Sequence, residues 1–179
     1  MLHTLIHWSI RLSAVLAIIA AVSFATNNKL KNLSELDYNS KYITMAEREK
    51  QLSCLSKNIY FEAGRESFEG KVAVAQVTMN RVNSGVFPND ICDVVFQKTK
   101  VYDKFVCQFT WSCERGPKVK SNKEYAESQE VAKKVLLENF RLPSLHGAMY
   151  YHADYVNPNW NLPKITKIGR HIFYGARKS

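Results

Sequence analysis

The sequence predicts an α+β domain, with a helical core and a small sheet near its C-terminal end. Three observations carry this. Apolar residues recur at three- and four-residue steps around Leu52, Leu55 and Ile59, and again at Ala132, Val135 and Leu136, which is the spacing of one buried helix face. Between them, "VAVAQVTM" is apolar almost all the way round, as in a helix buried in mid-domain. Late in the chain, "GAMYYHADY" and "KIGRHIFYG" are rich in aromatic and branched residues and read as two short strands.

Each element has its own signals. The first helix starts near Thr44, with Glu47 at the capping-box position, and stops at Gly64. Ser67 caps a second helix running to about Val82. "NSGVFPND" is a loop, "DICDVVFQ" a short helical turn, and "YDKFVCQFTWS" an extended segment. Ser121 with Glu124 forms another capping box, ahead of a helix to about Asn139. The Pro- and Asn-rich "VNPNWNLP" joins the two strands.

The 179 residues divide into three parts. Residues 1–25 hold Arg11 and then fourteen uncharged residues, "LSAVLAIIAAVSFA", with small residues Ser23 and Ala25 placed for cleavage before Thr26. That is the pattern of a signal peptide or an N-terminal membrane anchor, although the run falls short of the roughly 18 apolar residues of a clear membrane span. Residues 26–44 are a polar spacer, and residues 45–179 form the domain. Export, to the periplasm or beyond the cell, is the expectation, with inner-membrane association through residues 5–25, either transient or retained.

The cysteines agree with an oxidising compartment. Cys54, Cys92, Cys107 and Cys113 contain no CxxC and match no common zinc spacing, so two disulfides are the economical reading. Cys107 and Cys113 close a short loop, leaving Cys54 to Cys92. With 25 basic and 16 acidic residues the formal charge is +9. A basic exported protein suits an anionic polymer such as bacterial wall, though a generally basic solvated surface explains the charge as well. No nucleic-acid motif and no long Lys/Arg cluster is present.

Glu62 follows the run Ile59-Tyr60-Phe61 in the last turn of the first helix. It reads either as a solvated helix-end residue or as an acid held in apolar surroundings. In the second case desolvation raises its pKa, as a general acid requires. Glu66 and Glu69 lie beyond Gly64, where negative charge favours a helix N-terminus. His152 and His171 sit in apolar strand-like runs, where a lone histidine is more often a hydrogen-bonded core or groove residue than a metal ligand. A Cys107–His152 nucleophile pair, as in an exported peptidase, competes with the disulfide reading. Phe109, Trp111, Tyr150, Tyr151, Tyr155 and Trp160 lie near Gln108, Asn157 and Asn159. Rings beside amides suit a sugar-binding groove, and core packing also explains most of these rings.

Several separated motifs resemble one family. "CLSKNIYFEAGRESFEGKVAVAQVTMNRV" is similar to the opening of the SleB-type cell wall hydrolases, which include spore-cortex-lytic enzymes. "FPNDICDVVFQ", "CQFTWSCERG", "GAMYYHADYVNPNW" and "KIGRHIFY" follow in the family's order, so the resemblance spans about residues 52–174. It implies a mainly helical, lysozyme-like domain with a small antiparallel sheet near the C-terminal end, acting on peptidoglycan. It implies Glu62 as the catalytic glutamate, with Gln108, Trp111, Tyr151, His152 and His171 lining the groove. One departure is local: the usual Arg-Gly pair is reversed here, as Gly64-Arg65.

Hydrolytic glycosidases ordinarily need two carboxylates, and one well-placed candidate is evident. The expected reaction is therefore cleavage between N-acetylmuramic acid and N-acetylglucosamine by a lytic transglycosylase, giving 1,6-anhydro products without metal or cofactor. Lysozyme-type hydrolysis, with Glu66 or Glu69 as second acid, and a non-catalytic peptidoglycan-binding module are the alternatives. Peptidoglycan is the expected partner, nucleic acid is not, and a monomer is expected.

Overall fold

The computed structural model describes residues 15–29, 44–114 and 116–177. The chain divides into two units, Met1–Met45 and Ala46–Ser179. In the first, residues 15–29 form a helix (α1), and near its end the Thr26 hydroxyl donates to the carbonyls of Val22 and Ser23. No helix among the described residues is long and apolar enough to cross a membrane. Most of the expected leader and spacer, residues 1–14 and 30–43, lies outside the described residues.

The second unit is built on helices α2 (Met45–Ala63), α3 (Phe68–Val82), α4 (Ile91–Val95) and α5 (Asn122–Leu137). Helix α3 runs through its middle and is buried at every position from Gly70 to Thr78. Ser67 caps it by accepting from Gly70 N, and Ser121 caps α5 by accepting from Glu124 N. Leu55, Ile59, Val72, Val95, Trp111 and Val135 belong to the larger core cluster. Ala73 and Val77 of α3 pack instead with Leu145, Ala148 and Phe173. Two disulfides, Cys54–Cys92 and Cys107–Cys113, are formed. The first ties α2 to α4 beside Gln51, whose Oε1 accepts from the amides of Ile91 and Cys92.

The sheets depart from expectation in two places. Strands β1 (Lys98–Val101) and β2 (Lys104–Cys107) form a hairpin, whereas only one extended segment is expected there, and Thr110–Cys113 is a 3-10 turn. The "KIGRHIFYG" segment is a hairpin rather than one strand. It turns at Gly169-Arg170 between β4 (Lys164–Ile168) and β5 (His171–Gly175), because Gly169 adopts a φ of +55°. With β3 (Ala148–Ala153) this makes an antiparallel sheet in the order β3-β5-β4. The α+β class holds: mainly helical, with its small sheets in the C-terminal half.

Candidate active site

Three elements and one connection meet around Glu62. The stripe of α2 that buries Leu55, Asn58 and Ile59 continues at a four-residue step from Asn58 to Glu62, so helix geometry turns this carboxylate inward. From α3 comes Arg81, from β3 Tyr151, and from the segment after β2 come Gln108, Phe109 and Thr110. Together these six residues line a cavity of about 160 Å³.

Tyr151 donates its hydroxyl to Glu62 Oε2 at 3.1 Å. Burial pushes the Glu62 carboxyl above its ordinary value of 4.5, against the opposing pull of the Tyr151 hydrogen bond and the Arg81 charge. Tyr151 itself is held well above the usual phenol range, first by burial and then by the Glu62 charge, so it stays a neutral donor. The guanidinium of Arg81 is buried. Its Nε donates to Met149 O at 2.8 Å, while its Nη1 has no hydrogen-bond partner. It faces the rings of Phe87, Phe109 and Tyr150 at 5.0, 5.6 and 5.9 Å, an arrangement that offsets part of its desolvation.

The register of β3 is fixed from α3. Asn80 Nδ2 donates to the carbonyls of Leu145 and Ala148, and Gln76 exchanges two hydrogen bonds with the backbone of Leu142. Tyr151 then lies opposite Phe173 of β5 and points to the same side. A slip of one residue would aim His152 at Glu62 instead.

The residues expected around the site fall into different places. Gln108 and Tyr151 line the cavity with Glu62. His171 is buried behind Tyr151, its ring edge-on at 5.2 Å, and burial pulls its pKa down. His152 alternates to the other side of β3. Its Nδ1 donates to Ala153 O, a group that can only accept, and its Nε2 is hydrogen-bonded to the Tyr174 hydroxyl at 2.9 Å. Trp111 is 6% exposed, stacks on Phe61 at 4.6 Å in the larger core cluster, and is not among the residues lining the cavity. Glu66 accepts from the amide of Arg170 in the β4–β5 turn, and Glu69 is exposed in the first turn of α3.

Arg81 and Thr110 were not among the expected site residues. Arg81 closes an apolar helix, where a cation ordinarily reads as a solvated partner of the helix dipole. Its one sequence signal is its place in "MNRV". A larger cavity, about 750 Å³, lies between the start of α3 and α5. Its Glu127 is ion-paired to Lys71 at 2.6 Å, which holds the carboxyl below its usual value and suits it poorly to act as an acid. Among the described residues no three His, Cys, Asp or Glu side chains gather as a metal site requires.

A family model for cell wall hydrolases matches residues 65–174, well over half of the chain. The chain belongs to the cell wall hydrolase family. Arg81, Gln108 and Tyr151 fall inside the matched span, which begins three residues after Glu62. Among curated relatives, the spore cortex-lytic enzyme of Bacillus subtilis (strain 168) is 32% identical over 123 residues, covering 66% of this chain and 35% of the relative. That of Bacillus cereus is 31% identical over 129 residues, covering 70% and 44%. The chain thus spans less than half the length of these relatives. Among solved structures, the catalytic domain of the Bacillus cereus SleB protein is 26% identical with a TM-score of 0.49, covering 70% of this chain and 90% of that one. The catalytic domain of the germination-specific lytic transglycosylase SleB from Bacillus anthracis is 29% identical with a TM-score of 0.45, covering 69% and 93%.

Proposed function

We propose that this member of the cell wall hydrolase family cleaves the glycan strand of peptidoglycan between N-acetylmuramic acid and N-acetylglucosamine, as a lytic transglycosylase acting outside the cytoplasm. One observation carries the reading: Glu62 is the single carboxylate among the residues lining its cavity, and burial favours its protonated form. An acid of that kind protonates the glycosidic oxygen as the bond from the anomeric carbon breaks, releasing the N-acetylglucosamine hydroxyl. The Glu62 carboxylate then takes the proton from the muramyl C6 hydroxyl while that oxygen bonds to the anomeric carbon. A 1,6-anhydro ring forms, Glu62 is protonated again, and no water is consumed. Tyr151 and Arg81 stabilise the carboxylate between the two proton transfers, and Gln108 offers an amide to the sugar hydroxyls.

The cell wall hydrolase family and the similarity to spore cortex-lytic enzymes support the substrate. Two disulfides in the domain support a site of action in an oxidising compartment.

Digestion of purified sacculi with the full chain and with Glu62→Gln, read by mass spectrometry of released fragments, tests the proposal. Anhydro-muropeptides released by the parent and absent with the variant are expected. Reducing-end muropeptides would replace the transglycosylase step by hydrolysis. Cleaved stem peptides would indicate a peptidase, and bound but intact sacculi a binding module.

A further inference from the structure

Strands β1 and β2 pair only with each other, as a ribbon separate from the three-stranded sheet. Every residue of the two strands except Cys107 is exposed. Val101, Phe105 and Val106 are 46, 68 and 53% exposed, and Tyr102 in the turn is 94% exposed. A lone two-stranded hairpin is marginally stable in water, and this one holds apolar side chains in solvent on both of its faces, Phe105 on one and Val101 with Val106 on the other. The register sets Lys100 opposite Phe105 and Lys104 opposite Val101, so each face of the ribbon shows a cation beside an apolar side chain. Lys98 adds a third cation, against the single acid Asp103 in the turn. None of these lysines is ion-paired among the described residues.

The turn carries a second anomaly. Tyr102 holds a φ of +53°, in a two-residue hairpin turn where Asn or Gly is favoured. A tyrosine in a left-handed conformation, with its ring in solvent, gives up turn stability for what the ring can touch. The ribbon also adjoins the site. Gln108 N donates to Gln97 O at 2.9 Å and closes its base, Cys107 is bonded to Cys113, and the next residues, Gln108, Phe109 and Thr110, line the Glu62 cavity.

We propose that the β1–β2 ribbon is an accessory binding arm for the peptidoglycan strand on which Glu62 acts. Lys98, Lys100 and Lys104 meet the carboxylates of the stem peptides, and Tyr102 and Phe105 pack on the apolar faces of the sugars. The inference rests on the glycan-cleavage reading above. It follows from the continuity of the ribbon with the cavity wall and from the match of cations plus rings to an anionic saccharide polymer. A bilayer-binding surface would instead segregate apolar and basic side chains to opposite faces.

Pelleting assays with purified sacculi, using the full chain carrying Glu62→Gln so that the polymer stays intact, test the arm. K98Q/K100Q/K104Q is expected to bind about tenfold more weakly, the sum of three modest exposed charge contacts, and with a shallower salt dependence. Tyr102→Asn with Phe105→Ser is expected to weaken binding at every salt concentration, Asn being at ease with the positive φ. Unchanged circular dichroism and intact disulfides verify the fold of each variant. Parent-level binding by both variants overturns the proposal. So does binding to phosphatidylglycerol vesicles in place of sacculi that the same variants lose. The cleavage reading fails by a separate measurement, if Glu62→Gln releases the same fragments as the parent.

Discussion

The Tyr151 hydroxyl donates to Glu62 Oε2 at 3.1 Å, joining the last turn of α2 to the middle of β3. A neutral donor on a carboxylate favours the ionised form. Here it opposes the burial that holds the Glu62 carboxyl above its ordinary value. Tyr151→Phe therefore raises the Glu62 pKa further. The pH–rate profile of sacculus digestion should extend its alkaline limb to higher pH, with a stability loss of about 1 kcal/mol for the missing hydrogen bond. An unmoved limb would separate Tyr151 from the acid.

The same burial makes Glu62 a pH-dependent liability for the fold. Its folded pKa lies above the ordinary value of 4.5, so the folded state holds the proton more tightly than the unfolded one. The stability this lends is fully present below about 4.5 and is lost as pH rises through the folded value. Glu62→Gln removes the penalty. Its melting temperature should exceed the parent's by a margin that grows from pH 4 to pH 8, while glycan cleavage falls by about 10²–10⁴-fold. A margin constant with pH would contradict the direction assigned to this group.

Arg81 is the buried cation that pulls the Glu62 pKa down. Arg81→Met keeps the unbranched stem and removes the charge, which moves the alkaline limb upward. It also strands Met149 O, which now accepts from Arg81 Nε, at a cost of about 1–3 kcal/mol. Arg81→Lys keeps a charge near the site, and its limb should stay closer to the parent's than that of Arg81→Met. Chemical denaturation and pH–rate profiles of the two variants separate the electrostatic role from the packing role.

The helices were legible because their signals are local: Ser67 and Ser121 cap where the sequence places caps, and Leu55 and Ile59 keep the helical step. Four cysteines allow three pairings, and the structure forms the one that closes the short Cys107–Cys113 loop. The site was legible in part. Glu62, Gln108 and Tyr151 share a cavity, whereas Trp111 belongs to the core and His152 to the other face of β3. Those two placements depend on strand register and on how the 3-10 turn packs, and no local pattern encodes either. The β4–β5 turn was hidden inside one strand-like run, since Gly169-Arg170 interrupts it without a proline or an Asn-Gly pair. Arg81 was hidden because a buried cation and a solvated one look alike at the end of a helix.

The Gly64-Arg65 order has a structural consequence. Gly64 N donates to Tyr60 O at 3.0 Å, and a Cβ on Gly64 would sit 2.5 Å from that same oxygen. The glycine is thus needed one residue after α2, where the chain turns away from Glu62. Arg65 is exposed and reaches Glu124 at 3.9 Å. Gly64→Ala should destabilise by about 1–3 kcal/mol as the helix end shifts and should lower activity through the displacement of Glu62. Arg65→Ala should stay within about 0.5 kcal/mol of the parent. Thermal unfolding of the pair checks the contrast.

Glu66 is the nearest other carboxylate in sequence that a hydrolytic mechanism could recruit, and its surroundings assign it elsewhere. Its Oε2 accepts from Arg170 N at 3.3 Å, and a Cβ on Gly169 would meet that oxygen at 1.9 Å. The carboxylate therefore packs against the bare backbone of the β4–β5 turn and is absent from the wall of the Glu62 cavity. Glu66→Gln keeps an oxygen for the Arg170 amide and removes only the charge, so sacculus digestion should remain within about threefold of the parent. A second carboxylate acting as nucleophile or base would instead cost two or more orders of magnitude. Gly169→Ala, forced against Glu66 at a φ of +55°, should destabilise by at least about 1–3 kcal/mol. Loss of activity in Glu66→Gln at full stability would overturn the single-acid mechanism, because the turn contact survives that substitution and the charge does not.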